Sequence, residues 1–238
     1  MEQMMDAAAG ECCDDASGEV SQALAGRADF YRLLAELFAA PLAQEQVDAL
    51  AACDLSAWAG VSDAMDAGIN DITRYLRKRN SGTREELAVD YTGAFGGTKT
   101  VDGNNAVPFE SVFTSADGLL CQESYHAVHD MFRKAALKKR AGDNTPDDHL
   151  SYLCEFMSTL SARAAEKAAA GDCAGAAAEV HRTRLCLREH ILNWYDAFSN
   201  RALQLVETRF YRGVLRLAGG YFAFDNETVD DLIAALEA

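Results

Sequence analysis

The sequence predicts an all-α fold, a single globular bundle of about ten helices. Three observations carry that prediction. Apolar residues recur at spacings of three and four in most segments beyond residue 20. The three prolines, Pro41, Pro108 and Pro146, fall between those segments and not within them. No run shows the apolar–polar alternation of a half-buried strand. A chain of 238 residues, 49% hydrophobic and 25% charged, has globular composition and can bury a sizeable core.

Residues 1–19 are acidic with little periodicity, and are expected to form a flexible tail ahead of an all-helical domain at 20–238. Phe30, Leu33, Leu34, Leu37 and Phe38 then mark an amphipathic helix over 22–40, ended by Pro41. A short helix carries Val47 and Leu50. Ser62 and Asp63 open another, with Met65, Ile69, Ile72 and Leu76 on one face and a basic end at Arg74–Arg79 suited to a helix C-terminus. Gly82 stops it. Thr83-Arg84-Glu85-Glu86 matches a capping box, with Leu87, Tyr91 and Phe95 at successive i+4 positions behind it.

Residues 96–108 read as a long Gly/Asn loop. Its Gly96-Gly97-Thr98-Lys99 lacks the order of a phosphate-binding loop. A helix over 119–139 turns Tyr125, Val128, Met131 and Phe132 inward. His126 and His129 on it lack a third ligand at matching spacing, so they read as surface or packing residues and no metal is expected. Leu150, Leu153, Phe156, Met157 and Leu160 build the next long helix. Gly171-Asp172 breaks it and caps an Ala-rich helix reaching about residue 187. A helix bearing Phe198, Leu203, Val206, Phe210, Val214 and Leu217 follows, and Asn226 is read as the cap of a final one with Val229, Leu232, Ile233 and Leu236.

The formal charge of −15, from 37 Asp plus Glu against 22 Lys plus Arg, argues against a nucleic-acid ligand and favours a basic partner. No long apolar run predicts a membrane span, and no basic-then-apolar leader begins the chain, so a cytoplasmic protein is expected. The seven cysteines are scattered without a Cys-x-x-Cys pair. Most read as small core residues, and Cys12-Cys13 as an exposed pair.

The functional reading centres on Thr145-Pro146-Asp147-Asp148-His149-Leu150. Pro146 disfavours a helical residue before it, and Asp147 and Asp148 suit exposed helix-start amides, which places His149 in a first helical turn beside a flexible loop. Polar groups at such junctions are where binding residues are presented. A hinge is expected over 141–147.

Several ordered motifs accompany this stretch: Tyr91-Thr92-Gly93-Ala94-Phe95, Pro108-Phe109-Glu110-Ser111-Val112-Phe113, Pro146-Asp147-Asp148-His149, His190-Ile191-Leu192 with Trp194, and Phe210-Tyr211. Their order and spacing resemble the TorD/DmsD/NarJ family of chaperones for molybdenum enzymes, nearest its TorD/DmsD branch, over roughly residues 27–222. Ala94 stands where the family has Leu, and Thr145 where it has Glu. The resemblance implies an all-helical fold that binds the twin-arginine leader and the apo catalytic subunit of a molybdopterin oxidoreductase. Such a chaperone delays export and assists cofactor insertion, with no catalytic residue and no cofactor of its own. Carried over by position, the leader-binding surface comprises Tyr91, Phe95, Pro108, Glu110, Ser111, Phe113, Pro146, Asp148 and His149, with Phe95 also expected in the core. Asp147, Asp148 and Glu110 would accept hydrogen bonds from the arginines, and Tyr91, Phe95, Phe109 and Phe113 would receive the apolar part. The alternatives are a weak GTP-binding or GTP-hydrolysing helical protein, or a helical scaffold for a mature oxidoreductase subunit. Either a monomer or a helix-exchanged homodimer fits the hinge.

Overall fold

The computed structural model describes the backbone of residues 2–140 and 142–238, and side chains from residue 18 onward except at 57 and 141. Ten α-helices form among the described residues: α1 (Glu2–Ala39), α2 (Gln44–Ala52), α3 (Asp63–Leu76), α4 (Thr83–Ala94), α5 (Glu110–Thr114), α6 (Glu123–Lys134), α7 (Leu150–Ala169), α8 (Cys173–Cys186), α9 (Tyr195–Ala202) and α10 (Arg209–Glu237). Among the described residues no strand forms, and backbone bridges pair only Val101 with Asn104 and Phe109 with His149. The expected all-α fold is what the chain adopts.

Two long pairs organise the bundle. α1 lies along α7, α3 lies along α10, and α8 packs on both α7 and α10. The apolar stripes read from the sequence meet in one large core that includes Phe30, Leu34, Leu37 and Phe38 of α1, Leu153, Phe156 and Met157 of α7, and Phe210, Val214 and Leu217 of α10. A smaller cluster closes the other end, where Leu24 meets Ala164, Val180, Val229 and Ile233.

Through this core runs a buried polar network. Arg27 grips Asp225 with two hydrogen bonds, Nε to Oδ1 at 2.7 Å and Nη2 to Oδ2 at 2.8 Å. Its Nη1 donates to Ser161 Oγ at 2.6 Å and Thr183 Oγ1 at 2.9 Å, and Tyr31 OH donates to Asp225 Oδ2 at 2.6 Å. Burial acts to lower the Arg27 pKa, but the Asp225 carboxylate outweighs it and holds the guanidinium above its ordinary value. Four helices, α1, α7, α8 and α10, are thereby tied to one charge pair.

The α3–α10 pair is held by missing side chains. A Cβ on Gly68 would stand 2.7 Å from Leu217 N, and one on Gly213 would stand 2.8 Å from Gly68 O. The two backbones touch, which only glycine permits at these positions.

Several boundaries differ from the sequence reading. The helix expected to open at Pro146 starts at Leu150, with His149 as its N-cap, because residues 147–149 are pinned to the 108–111 segment. The Thr83 capping box does not form: Gly82 is the N-cap, and Thr83 Oγ1 accepts instead from Asn80 N at 2.8 Å. The helix expected over 119–139 is trimmed to α6, leaving Leu119 and Leu120 exposed ahead of it and Ala136 in a left-handed conformation behind it. Asn226 caps nothing, since α10 runs through it. The break falls instead at 203–208, where Asp90 accepts from Glu207 N at 2.9 Å and Thr208 N at 2.8 Å, and Thr208 Oγ1 caps α10. α1 begins at Glu2, within the segment 1–19. Ser62 and Asp172 do cap α3 and α8 as their sequence positions predict. Cys154 and Cys186 are buried, Cys53 and Cys121 are exposed, and the side chains of Cys12 and Cys13 lie outside the described residues.

Two stability predictions follow from this packing. Arg27→Met leaves Asp225 buried and unpaired and is expected to cost about 3–5 kcal/mol in urea unfolding, part of which Asp225→Leu in the same chain restores. Gly213→Ala should cost about 1–3 kcal/mol by forcing α3 and α10 apart.

Candidate functional site

Two loop segments meet antiparallel just before α5 and α7. Glu110 N donates to Asp148 O at 3.0 Å, and Leu150 N donates to Pro108 O at 2.8 Å. Pro108 lacks a donor of its own but loses nothing here, since only its carbonyl is used. Asp148 is fully buried, and its Oδ2 accepts from Ser111 N at 2.9 Å, where α5 begins. The carboxylate therefore satisfies an amide that a five-residue helix would otherwise leave open. Asp148 Oδ1 and Ser111 Oγ are buried there with no hydrogen-bond partner among the described residues.

Glu110 is buried beside them. His190 Nδ1 stands 3.0 Å from its Oε2, and Asn193 Nδ2 donates to its Oε1 at 3.0 Å. His190 belongs to a π-turn, Leu187–Ile191, closed by Leu192 N donating to Leu187 O at 2.9 Å, and Asn193 follows just behind it. The wider turn re-aims the side chains that follow it. Trp194 Nε1 donates to His190 O at 2.6 Å, and Phe113 stacks on the Trp194 ring with centroids 5.5 Å apart.

Asp147 is held from two sides, by an imidazole and an ammonium. Its Oδ2 lies 2.7 Å from His129 Nδ1 of α6, and its Oδ1 lies 2.7 Å from Lys139 Nζ. Lys139 also donates to the Thr145 carbonyl, and Tyr152 OH pairs with Asp143. His129, read from the sequence as a surface or packing residue, thus anchors the loop before α7. No cluster of metal-ligating side chains forms among the described residues.

His149 caps α7: its Nδ1 accepts from Ser151 N at 3.2 Å and lies 2.7 Å from Ser151 Oγ. The edge of its ring meets Phe109, with centroids 4.7 Å apart. Burial lowers its pKa to about 4, so the imidazole is neutral near pH 7. With Nδ1 engaged at the helix start and Asp148 turned to Ser111, the pair lacks the carboxylate–imidazole contact that a general base would use.

In front of this junction lies a cleft of about 750 Å³ between α1, the 137–145 segment and the first turns of α7. Ala35, Phe132, Leu137 and Phe156 give it an apolar lining. Glu36 and Glu155 stand on the two helical walls, and Lys138 and Arg140 on the opposite lip. Glu36 and Glu155 have no ion-pair partner among the described residues, whereas Arg32 is paired with Asp29.

The residues predicted from sequence therefore separate into three places. His149 lines the cleft. Pro108, Glu110, Ser111, Pro146 and Asp148 gather at the loop junction behind it, with Phe113 half-buried against Trp194. Tyr91 and Phe95 lie in the core, where Tyr91 OH donates to Phe38 O at 2.8 Å and Phe95 packs on Tyr211 and Phe198. The cleft residues Glu36, Asp143, Tyr152 and Glu155 escaped the sequence reading. Their one signal was position: Glu36 among Arg32, Ala35 and Ala39, and Tyr152 with Glu155 and Thr159, occupy the polar edge of a helical apolar stripe.

Lowering the pH tests the buried His149. Its folded pKa lies below the unfolded value of about 6.5, so its neutral form contributes stability that is fully present above that pH and lost as pH falls toward about 4. The loss should be on the order of 3 kcal/mol. Chemical denaturation of His149→Asn, which keeps an N-capping side chain, should show a flatter pH dependence across that window than the wild-type chain.

The family model described as nitrate reductase delta subunit matches residues 59–200. Similar proteins include one named Chaperone protein TorD from Vibrio vulnificus, 27% identical over 206 residues that cover 84% of this chain and 93% of the relative. Another of the same name, from Vibrio cholerae, is 25% identical over 214 residues covering 87% and 93%.

Proposed function

This chain belongs to the TorD/DmsD/NarJ family, and from that premise we propose that it is a chaperone for a molybdopterin oxidoreductase, acting by binding rather than by turnover. It recognises the twin-arginine leader of the precursor, holds the apo form back from export and assists cofactor insertion, in the cytoplasm. No helix among the described residues is long and apolar enough to cross a membrane.

The observation that carries this reading is the cleft in front of the paired motif segments. A twin-arginine leader presents a basic head followed by an apolar stretch. The Glu36 and Glu155 walls offer carboxylates free to accept charge-assisted hydrogen bonds, and the Phe132, Leu137 and Phe156 lining offers an apolar floor. His149 and Tyr152 sit where the two meet. Asp148, Glu110 and Ser111 belong to the same site in a different capacity: buried and bonded to each other's backbone or to the π-turn, they hold the two loops whose edge the leader meets. Pro108 and Pro146 fix the turns into those loops. Tyr91, Phe95 and Phe113 support the site from the core side.

Titration calorimetry with a synthetic leader peptide tests this directly. Glu36→Ala and Glu155→Ala should each weaken binding about tenfold, the worth of a charge-assisted hydrogen bond, without lowering the melting temperature. Replacing the two leader arginines by lysine should also weaken it, because the bidentate fork is lost. Failure of the wild-type chain to bind the leader, or binding to mature oxidoreductase alone, would sink the proposal in favour of a scaffold.

A further inference from the structure

We propose that the surface where the end of α3 meets the start of α10 is a docking site for an acidic, Asp/Glu-rich segment of a partner protein. Two recesses of about 520 Å³ and about 330 Å³ adjoin there and share Arg209. Arg74, Arg77 and Lys78 line the first, and Arg212 and Arg216 the second. In a chain of net charge −15, this concentration of exposed cations stands apart from the rest of the composition. None of the residues lining the leader cleft lines either recess.

The local charge balance leaves a surplus. Asp71 is buried and accepts from both Arg209, at 2.6 Å, and Arg216. Glu86, in the first recess, accepts from Tyr75 OH at 2.7 Å, and Glu207, in the second, pairs with Lys99 at 2.8 Å. Arg74, Arg77, Lys78 and Arg212 have no carboxylate partner among the described residues; Arg212 reaches only the Val206 carbonyl. Four unneutralised cations on one surface repel each other, and an anion relieves that repulsion.

The shape favours an extended acidic segment over a single compact anion. Arg209, Arg212 and Arg216 recur at three and four residues and so share a face over roughly 10 Å of α10, while Arg74 to Lys78 adds a further helical turn alongside. Arginine dominates, and its planar fork pairs with carboxylates two bonds at a time. At physiological salt the Debye length of about 8 Å confines the protein's overall negative field, so an acidic segment at this surface meets the local cations and not the net charge.

The chain's own acidic beginning does not fit the role in cis. Leu24 packs with Val229 and Ile233 in the last turns of α10, whereas the patch occupies the first turns; Arg212 and Val229 are roughly 25 Å apart along the helix. The same segment from a second copy would make a head-to-tail contact, which grows open chains unless it closes into a ring.

The test uses the full chain and a fluorescein-labelled deca-glutamate peptide, read by fluorescence anisotropy at about 50 mM salt, where screening is weak. Arg77→Glu/Lys78→Glu reverses two unpaired charges at the end of α3 and leaves the Asp71 pairs intact. Arg133→Glu/Lys134→Glu changes the net charge by the same amount in the last turn of α6, where Arg133 pairs with Asp130, and serves as the control for net charge. The proposal expects saturable binding, weakened about tenfold or more by the α3 reversal and little by the control, with both variants folded by circular dichroism and both still binding the leader peptide. Absence of binding, or equal weakening by both variants, overturns it. So does displacement of the peptide by pyrophosphate at concentrations where free glutamate has no effect, which would mark a phosphate ligand. Salt-sensitive oligomers of the wild-type chain that the α3 reversal dissolves would assign the surface to a second copy.

Discussion

The pairing of Arg27 with Asp225 is the contact on which the arrangement of the long helices depends. A charge pair removed from water is tolerated only when nearly every donor and acceptor is satisfied, and here that requirement recruits Tyr31, Ser161 and Thr183 from three helices at once. Apolar stripes on α1, α7 and α10 could slide by a turn and still bury similar area. The guanidinium cannot, because its fork meets Asp225 in one geometry. Its effect is specificity of register more than raw stability.

That register sets the walls of the cleft. Glu36 and Arg32 stand on the same α1 as Arg27 and Tyr31, and Tyr152 and Glu155 on the same α7 as Ser161. The third side is a loop, and loops need their own restraint. Asp147 pins it to His129 and Lys139, and Asp148 and Glu110 pin its continuation to α5 and the π-turn. Buried carboxylates here spend their hydrogen bonds on holding backbone in place. The accessible carboxylates Glu36 and Glu155 have no ion-pair partner among the described residues.

Electrostatics separates the surface into regions of different use. The cleft beside α7 sets the unpaired carboxylates Glu36 and Glu155 against an apolar floor with Lys138 and Arg140 on its lip, whereas the α3–α10 junction gathers unpaired arginines. Because screening limits each field to about 8 Å at physiological salt, the two act independently on one small molecule. A net charge summed over the chain hides this.

The sequence by itself determined the helical class, most helix positions and the caps at Ser62 and Asp172, because periodicity and turn chemistry are local properties. Only the tertiary structure decided where those residues point. Asp148 became a buried anchor because a loop distant in sequence supplied its partner, Ser111, and α10 ran through Asn226 while the chain broke at Thr208 because Asp90, far upstream, claimed two amides there. The close passage of Gly68 against Gly213 was likewise invisible, since a glycine's missing side chain has meaning only once another backbone arrives beside it. Local pattern specifies which face of a helix is apolar; which polar group is buried, capped or left open is settled by the partner that packing brings to it.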